Sequence, residues 1–508
     1  MSLGQATVPL RLARSSLLAW LSVFAVLAVA IAQHAGATLN PDNSWLLTIG
    51  EKWLSGQVPY VDFVEVNPPA SILLYMPAVA LAHWLDIRPE ILVTFMMFAG
   101  IFAGLVLTGR ILRSADLLDA AHLPWLLAAA LFVFAVLPGN TFAQREHIAA
   151  VLVLPVLGLY AARIAGRSPS LCQHVLAGLA GGVCVVIKPY FAFSLLFPLA
   201  FAVCSTPGGW RSRLATLFAL SNWIIAGLTL GYGLLVVLAF PAFVHDTMPL
   251  LLDMYVPVGR PLSGIGIGVG FRLAVPVLIL CLLDLKRTRE PATALLFLAA
   301  AGFAAATVIQ GKGWPYHYFP IMALTFLALY RAVIERLARH PHCTGIGLPF
   351  IVGVVAAGLM TIMAGTFLSA RSYSGILIDE VRAIAPPRPK ILTISADIAL
   401  GHPLTRELDG RWVDRLCAHW ITANGDDMLR AEPDMAIERR AAIEKWMAFD
   451  KTSLVDDILA GKPDIILVEE GWWQRWSKEQ AEVDAALSAY SQVKSVGGIA
   501  ILLRHGPA

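Results

Sequence analysis

Apolar runs long enough to cross ~30 Å of hydrocarbon, about 20 residues each, recur along the first three quarters of this chain. They fall near 15–33, 70–86, 89–109, 123–138, 147–162, 174–187, 190–205, 214–240, 268–285, 291–310, 317–330 and 345–370. No water-soluble core absorbs so many. Composition agrees, with 57% of residues hydrophobic and 14% charged, against roughly 25% charged in soluble domains. The pattern predicts a mostly α-helical polytopic membrane protein with about 11–13 transmembrane segments. It excludes a purely soluble enzyme, a disordered chain and a collagen-like repeat. A formal net charge of +3 gives no reason to expect a nucleic-acid partner. Cys172, Cys184, Cys204, Cys281, Cys343 and Cys417 lie far apart with no CxxC, so spacing indicates neither a zinc site nor a disulfide framework.

Arginine and lysine placement orients the spans. Arg11/Arg14, Arg110/Arg113, Arg163/Arg167, Arg211/Arg213, Lys286/Arg287/Arg289 and Arg331/Arg336/Arg339 mark the cytoplasmic side. The opposite loops carry few cations, chiefly Lys52, Arg145, Arg260 and Lys312. The first run lacks a convincing cleavage site and reads as an uncleaved span. Loop parity then requires one early segment not to cross. Segment 70–86 opens with Pro68-Pro69 and carries Pro77, so it is expected to be short, bent or re-entrant. After about residue 371 charge rises. Strand-like runs at Ile391–Ser395, Asp464–Val468 and Gly498–Leu503 alternate with helix-like stretches at 433–449, 452–460 and 477–490. Residues 1–370 are therefore expected to form a membrane domain. Residues 371–508 are expected to form a small extramembrane α/β domain on the side of the first outer loop, 34–69.

That loop is long and polar. Asn43 or Ser44 can cap a helix starting near Trp45, with Trp45, Ile49 and Trp53 on one apolar face lying in the interface. Such a helix would hold Asp42 beside its N-terminus, while Asp62 and Glu65 return to the same level. These carboxylates can supply a general base; equally, they can only solvate a loop and cap helices. The second outer loop reads Gln144-Arg145-Glu146-His147. Such a run is costly unless it faces a wet cavity or pairs internally. An Arg145–Glu146 pair would satisfy it, and Glu146 with His147 could bind a divalent metal only with further ligands. Lys188 reads either as a snorkelling helix anchor or as a contact to a polar headgroup. Lys312 lies between glycines in Gln310-Gly-Lys312-Gly-Trp314-Pro-Tyr316-His317, where backbone and ammonium can approach an anion beside an aromatic belt. Arg260 and Arg272 can add to the same cationic patch. No cofactor is demanded by any of these patterns.

The chain resembles GT-C-type integral membrane glycosyltransferases, the superfamily of the lipid A aminoarabinose transferases and protein O-mannosyltransferases. The resemblance is carried by Asn40-Pro-Asp42, by Gly56-Gln-Val-Pro59-Tyr60-Val-Asp62-Phe63 and Asn67-Pro68-Pro69, by Gln144-Arg145-Glu146-His147, by Lys188-Pro189, and by Lys312 with Tyr316-His317. It covers roughly 10–370. It implies a polyprenyl-phosphate-linked sugar donor, a lipid or glycan acceptor, and catalysis at the periplasmic face of the inner membrane, among membrane lipids. Asp42 occupies the place of the family's acceptor-activating base, with Glu65 or Glu146 orienting its partners. Arg145, Lys188, Lys312 and Arg260 occupy the places of the phosphate-holding cations, and His147, Tyr316 and His317 join them as substrate-binding candidates. Where many relatives carry an Asp in the second outer loop, this chain has Glu146-His147. Two other classes remain: a transporter or flippase of a lipid-linked glycan, and a non-catalytic envelope-assembly protein. Polar groups gathered at one face, without inverted repeats, favour the enzyme.

Overall fold

The structure, a computed structural model, describes residues 7–36, 38–260, 290–339 and 375–505. The spans expected near 268–285 and 345–370, and Arg272, lie outside them. The chain divides into two compact units: one from the described parts of Met1–Ala37, Val93–Gly233 and Arg260–Ala370, the other from those of Thr38–Leu92, Leu234–Gly259 and Arg371–Ala508.

The first unit is a helix bundle. It contains α1 (Thr7–His34), most of α5 (Pro89–Ser114), α6 (Leu123–Leu131), α7 (Arg145–Ile164), α8 (Leu171–Ile187), α9 (Phe193–Ser205), α10 (Trp210–Leu217) and most of α11 (Leu220–Ala239). The helices Pro291–Gln310 and Pro315–Arg339 complete its described part. Five helical stretches among the described residues are long and apolar enough to cross a membrane: Leu17–His34, Pro89–Ser114, Arg145–Ile164, Trp210–Ala239 and Pro291–Gln310. Burial separates them. In α7, 78% of the apolar window is buried, against 6% for the window within Trp210–Ala239, so α7 is a central helix and the apolar α11 faces lipid. Helix starts follow local chemistry. Ser170 and Gln173 form a reciprocal capping box on α8. Glu290 accepts from Thr293 N at 2.7 Å and also pairs with Arg331 at 2.9 Å. On α8, Gly178, Gly181 and Gly182 let α11 approach so closely that an added Cβ would lie 2.5–2.9 Å from Ile224, Ile225 or Leu228.

In the second unit, α2 (Pro41–Leu54) begins earlier than expected. Its cap is Asn40, whose Oδ1 accepts from Asn43 N at 3.0 Å, and Pro41 occupies the first turn. Residues Asn43–Gly50 are all buried, so these two turns are packed on every side instead of resting one apolar face on lipid. The 70–86 segment breaks into α3 (Ala70–Leu73) and α4 (Met76–Leu85), and Pro77 opens the second helix. The ten residues of α4 rise about 15 Å.

The C-terminal portion carries a five-stranded sheet in the order β2-β1-β3-β5-β4. β1 (Lys390–Ile394) pairs in parallel with β2 (Arg411–Trp412) and with β3 (Ile465–Glu469). β5 (Ile499–Arg504) runs antiparallel to both β3 and β4 (Tyr490–Val496). Leu392, Ile394, Ile466 and Val468 pack with Leu454 and Trp473 as its core. The three expected strands are present, and β2 and β4 are additional. One helix, Ile437–Gly461, takes in 437–449 and 452–460, while 433–436 precede it. Stretch 477–490 divides into the end of helix Trp472–Glu479, helix Ala481–Leu487 and the start of β4.

Candidate active site

Four helix ends meet at one end of the first unit. Arg145, Glu146 and His147 open α7, Lys188 ends α8, Gln310 ends its helix, and Tyr316 and His317 open the next. Glu146 Oε1 accepts from Lys188 Nζ at 2.6 Å and lies 3.7 Å from His317 Nε2. Lys188 also donates to Gln310 Oε1 at 3.3 Å, and its ammonium sits 5.7 Å from the Tyr316 ring centre. Arg145 and Lys312 lie within electrostatic reach of His317. Arg145 and Glu146 are 2% and 1% exposed. Lys188 and Arg145 thus act on one buried carboxylate, with Lys312 acting on the neighbouring His317; the second oxygen of Glu146, Oε2, has no hydrogen-bond partner. Ion pairs at this depth are strongly coupled, and the surplus positive charge is suited to an anion.

Arg145 acts electrostatically on Glu146, and Lys188 pairs with the same carboxylate from farther along the chain. Lys312, half-buried in the loop between the last two helices, is lowered to about 8 by desolvation. Arg260 belongs to the same loop region: its backbone N donates to Gly311 O at 2.7 Å, and its guanidinium lies 5.5 Å over Trp314. His147 turns elsewhere. Its Nδ1 accepts from Ala143 N at 3.1 Å and its Nε2 meets Phe134 O at 2.7 Å, within the π-helical turn Phe132–Val136 that follows α6. Both ring nitrogens are committed, so Glu146 and His147 do not converge on one point. No group of three or more His, Cys, Asp or Glu suited to a metal ion occurs among the described residues.

The second unit holds the other carboxylates. Asp42 stands in the first turn of α2, where the helix dipole favours negative charge. Glu65, 2% exposed, accepts from Trp45 Nε1 at 2.5 Å, from Asn67 N at 2.8 Å and from the Asn67 side-chain amide. Tyr60 donates to Asn67 O at 2.7 Å, so Glu65 braces the turn of its own loop. The C-terminal segment 414–419 abuts this loop, a contact that sequence reading missed. Val64 N donates to Arg415 O at 2.8 Å, and Lys52 Nζ to Asp414 O at 2.6 Å. Cys417 lies beside Asp42, Glu65 and Asp414; burial first, then these carboxylates, pushes its thiol well above the usual range. Behind it, His419 sits between Asp414 (3.1 Å) and Asp450 (2.8 Å). Burial opposes its charge, yet the two carboxylates win and hold it well above the ordinary imidazole value. Rising charge after residue 371 was the only sequence signal for these groups.

This architecture, an apolar helix bundle with a small mixed sheet near its C-terminus, is an ArnT-like fold. The solved structures it matches include ArnT from Cupriavidus metallidurans bound to undecaprenyl phosphate, with 14% identity, a TM-score of 0.53, and 96% of this chain and 99% of that one covered. The apo state of the same protein matches with 14% identity and a TM-score of 0.54, covering 96% and 98%. No protein-family model matches the chain, and no curated protein matches it by sequence.

Proposed function

We propose that this chain is an integral-membrane glycosyltransferase that moves a sugar from a polyprenyl-phosphate-linked donor to a hydroxyl of a cell-envelope glycolipid or polysaccharide. The observation that carries the reading is the buried cation-rich cluster around Glu146, built at helix ends on a fold whose solved counterpart holds undecaprenyl phosphate. Arg145, Lys188 and Lys312 bind the donor phosphate, with Arg260 at the edge of the patch. Tyr316 and His317 complete the wall, and Glu146 keeps the Lys188 ammonium in place. Asp42 takes the proton from the acceptor hydroxyl. The oxygen attacks the anomeric carbon, the bond from that carbon to the phosphate oxygen breaks, and polyprenyl phosphate leaves with the bonding pair. A single displacement inverts that carbon. The reaction belongs to the outer face of the inner membrane, with residues 371–508 on that face. The sugar is a hexose or pentose.

Purified protein in lipid discs is supplied with polyprenyl-phosphate-linked sugars, and released polyprenyl phosphate is measured. Release by the wild type, lost in Asp42→Asn with unchanged thermal unfolding, supports the assignment. Full turnover by Asp42→Asn removes Asp42 as base. Movement of intact donor across the bilayer without release makes the protein a flippase.

A further inference from the structure

The cation cluster and Asp42 account for none of the chemistry that the aromatic part of the second unit offers. A cavity of about 250 Å³ lies in the second unit, lined by Tyr60, Val64, Asp246, Arg415, Trp446 and Phe449 among others. Three segments far apart in sequence build it: the first outer loop, the turn after α11, and the C-terminal portion. Its floor is apolar, because Val64, Leu250 and Met254 pack with Leu416, Ile421 and Ile443 beneath it. Its walls are aromatic. The Trp446 and Phe449 rings stand 6.1 Å apart at 88°, and Trp446 Nε1 is fixed on Asp253 Oδ2 at 2.9 Å. Tyr60 is held against Phe243, with ring centres 5.0 Å apart.

The polar groups are few and placed. Arg415 is pinned by Asp457, with Nη2 to Oδ1 at 2.8 Å. Asp246 differs: it is exposed at the rim and forms no ion pair or hydrogen bond among the described residues. The backbone here is unusual. Residues Phe243–Thr247 and Leu251–Tyr255 are two π-helical turns flanking the short α-turn Met248–Leu250. Isolated π-turns are rare and concentrate at functional sites because they redirect side chains. Here they carry Asp246, which lines the cavity, and Asp253, which fixes Trp446.

We propose that this cavity is the subsite for a carbohydrate ring of the acceptor, and this deepens the glycosyltransferase reading on which it rests. Rigid aromatic faces with a few convergent polar groups are the usual composition of a small-ligand site. The C–H faces of a pyranose cover Trp446 and Phe449, and Asp246 accepts from ring hydroxyls. Arg415 and the rim carboxylate of Asp246 set hydrogen-bonding groups beside the aromatic rings, a combination that a sugar uses and an acyl chain does not.

Saturation-transfer NMR tests this on the full chain in lipid discs, free of glycoside detergent, with an N-acetylglucosamine disaccharide as probe. Transfer to the sugar ring protons is expected in the wild type. It falls roughly tenfold in Asp246→Asn, the loss expected of a charged hydrogen bond, disappears in Trp446→Ala and returns in Trp446→Phe. Wild-type transfer that is absent, or unchanged in both Asp246→Asn and Trp446→Ala, overturns the subsite. Octyl phosphate, whose methylene protons report chain binding, is the second probe; if it displaces the disaccharide, the cavity takes alkyl chains and the proposal fails. Binding needs no turnover, so a protein that binds the disaccharide yet never releases polyprenyl phosphate refutes the enzyme reading alone. One that turns over donor but shows no binding refutes the subsite alone.

Discussion

His402 and His419 are both fully buried in the second unit, and their surroundings drive them in opposite directions. His402 lies between Trp45 and Trp412, tilted against both, with ring centres at 5.4 and 4.5 Å, and neither ring nitrogen has a hydrogen-bond partner. Desolvation, then the Arg406 and Lys52 charges, lowers it to about 3. It binds its proton less readily folded than unfolded. Its contribution is therefore complete above about pH 6.5 and drains, by at most about 1.4 kcal/mol per pH unit, as pH falls. His419, raised by its two carboxylates, behaves oppositely: its contribution is complete below about pH 6.5 and is lost as pH rises through its elevated folded value. Thermal unfolding followed from about pH 4 to 6.5 should fall less steeply with acid in His402→Phe than in the wild type; parallel slopes would remove His402 as the cause. The Glu146–Lys188 pair obeys a different rule. Glu146→Gln or Lys188→Met alone should cost about 3–5 kcal/mol by stranding a buried charge. The double variant should recover much of that stability yet not the turnover, which a double-mutant cycle on melting and activity would show.

At the scale of elements, small residues set how near the helices come. An added Cβ on Gly302 would lie 2.3 Å from Phe193 O, against the backbone where α9 begins. A backbone cannot swing aside as a side-chain tip can. Gly302→Ala should therefore cost about 1–3 kcal/mol or more. Gly231, on lipid-facing α11, has nothing within 4 Å, and Gly231→Ala should be neutral or stabilising by about 0.5–1 kcal/mol. Melting of the two purified variants separates them; equal losses would mean that helix propensity, not contact, decides. Helices were also the most legible part of the sequence, because each apolar run and its capping residues lie within one stretch of chain. β4 was not. Its residues Ser491–Ser495 are all exposed, so it lacks the apolar alternation by which a strand announces itself.

Across the whole molecule, charged residues distant in sequence do the joining, and their meetings are invisible to local pattern. Lys188 and Glu146 are each conspicuous in the chain, but nothing in either stretch says that one neutralises the other. Arg406 gave no signal at all. Its guanidinium reaches Glu90 at 2.6 Å and both Glu51 oxygens at 2.8 and 3.0 Å, binding the C-terminal portion to α2 and the start of α5. Glu51 is half exposed and contributes little, while Glu90 is buried. Arg406→Met should thus cost about 3 kcal/mol and make residues 375–505 the first segment cut in limited proteolysis. An unchanged cutting pattern would show that apolar contacts hold the C-terminal portion without it.

The order of strands has one more result. Copies of a membrane protein are confined to a plane and collide in few orientations, so an open strand edge on one is repeatedly offered to the same edge on another. Here the outer strands are poor templates for such zippering. β2 has only two residues, and β4 is interrupted by an irregularity between Gln492 and Lys494, with Lys494 tied to Glu380. The sheet ends where it should, and crowding in the bilayer gives it no partner to grow into.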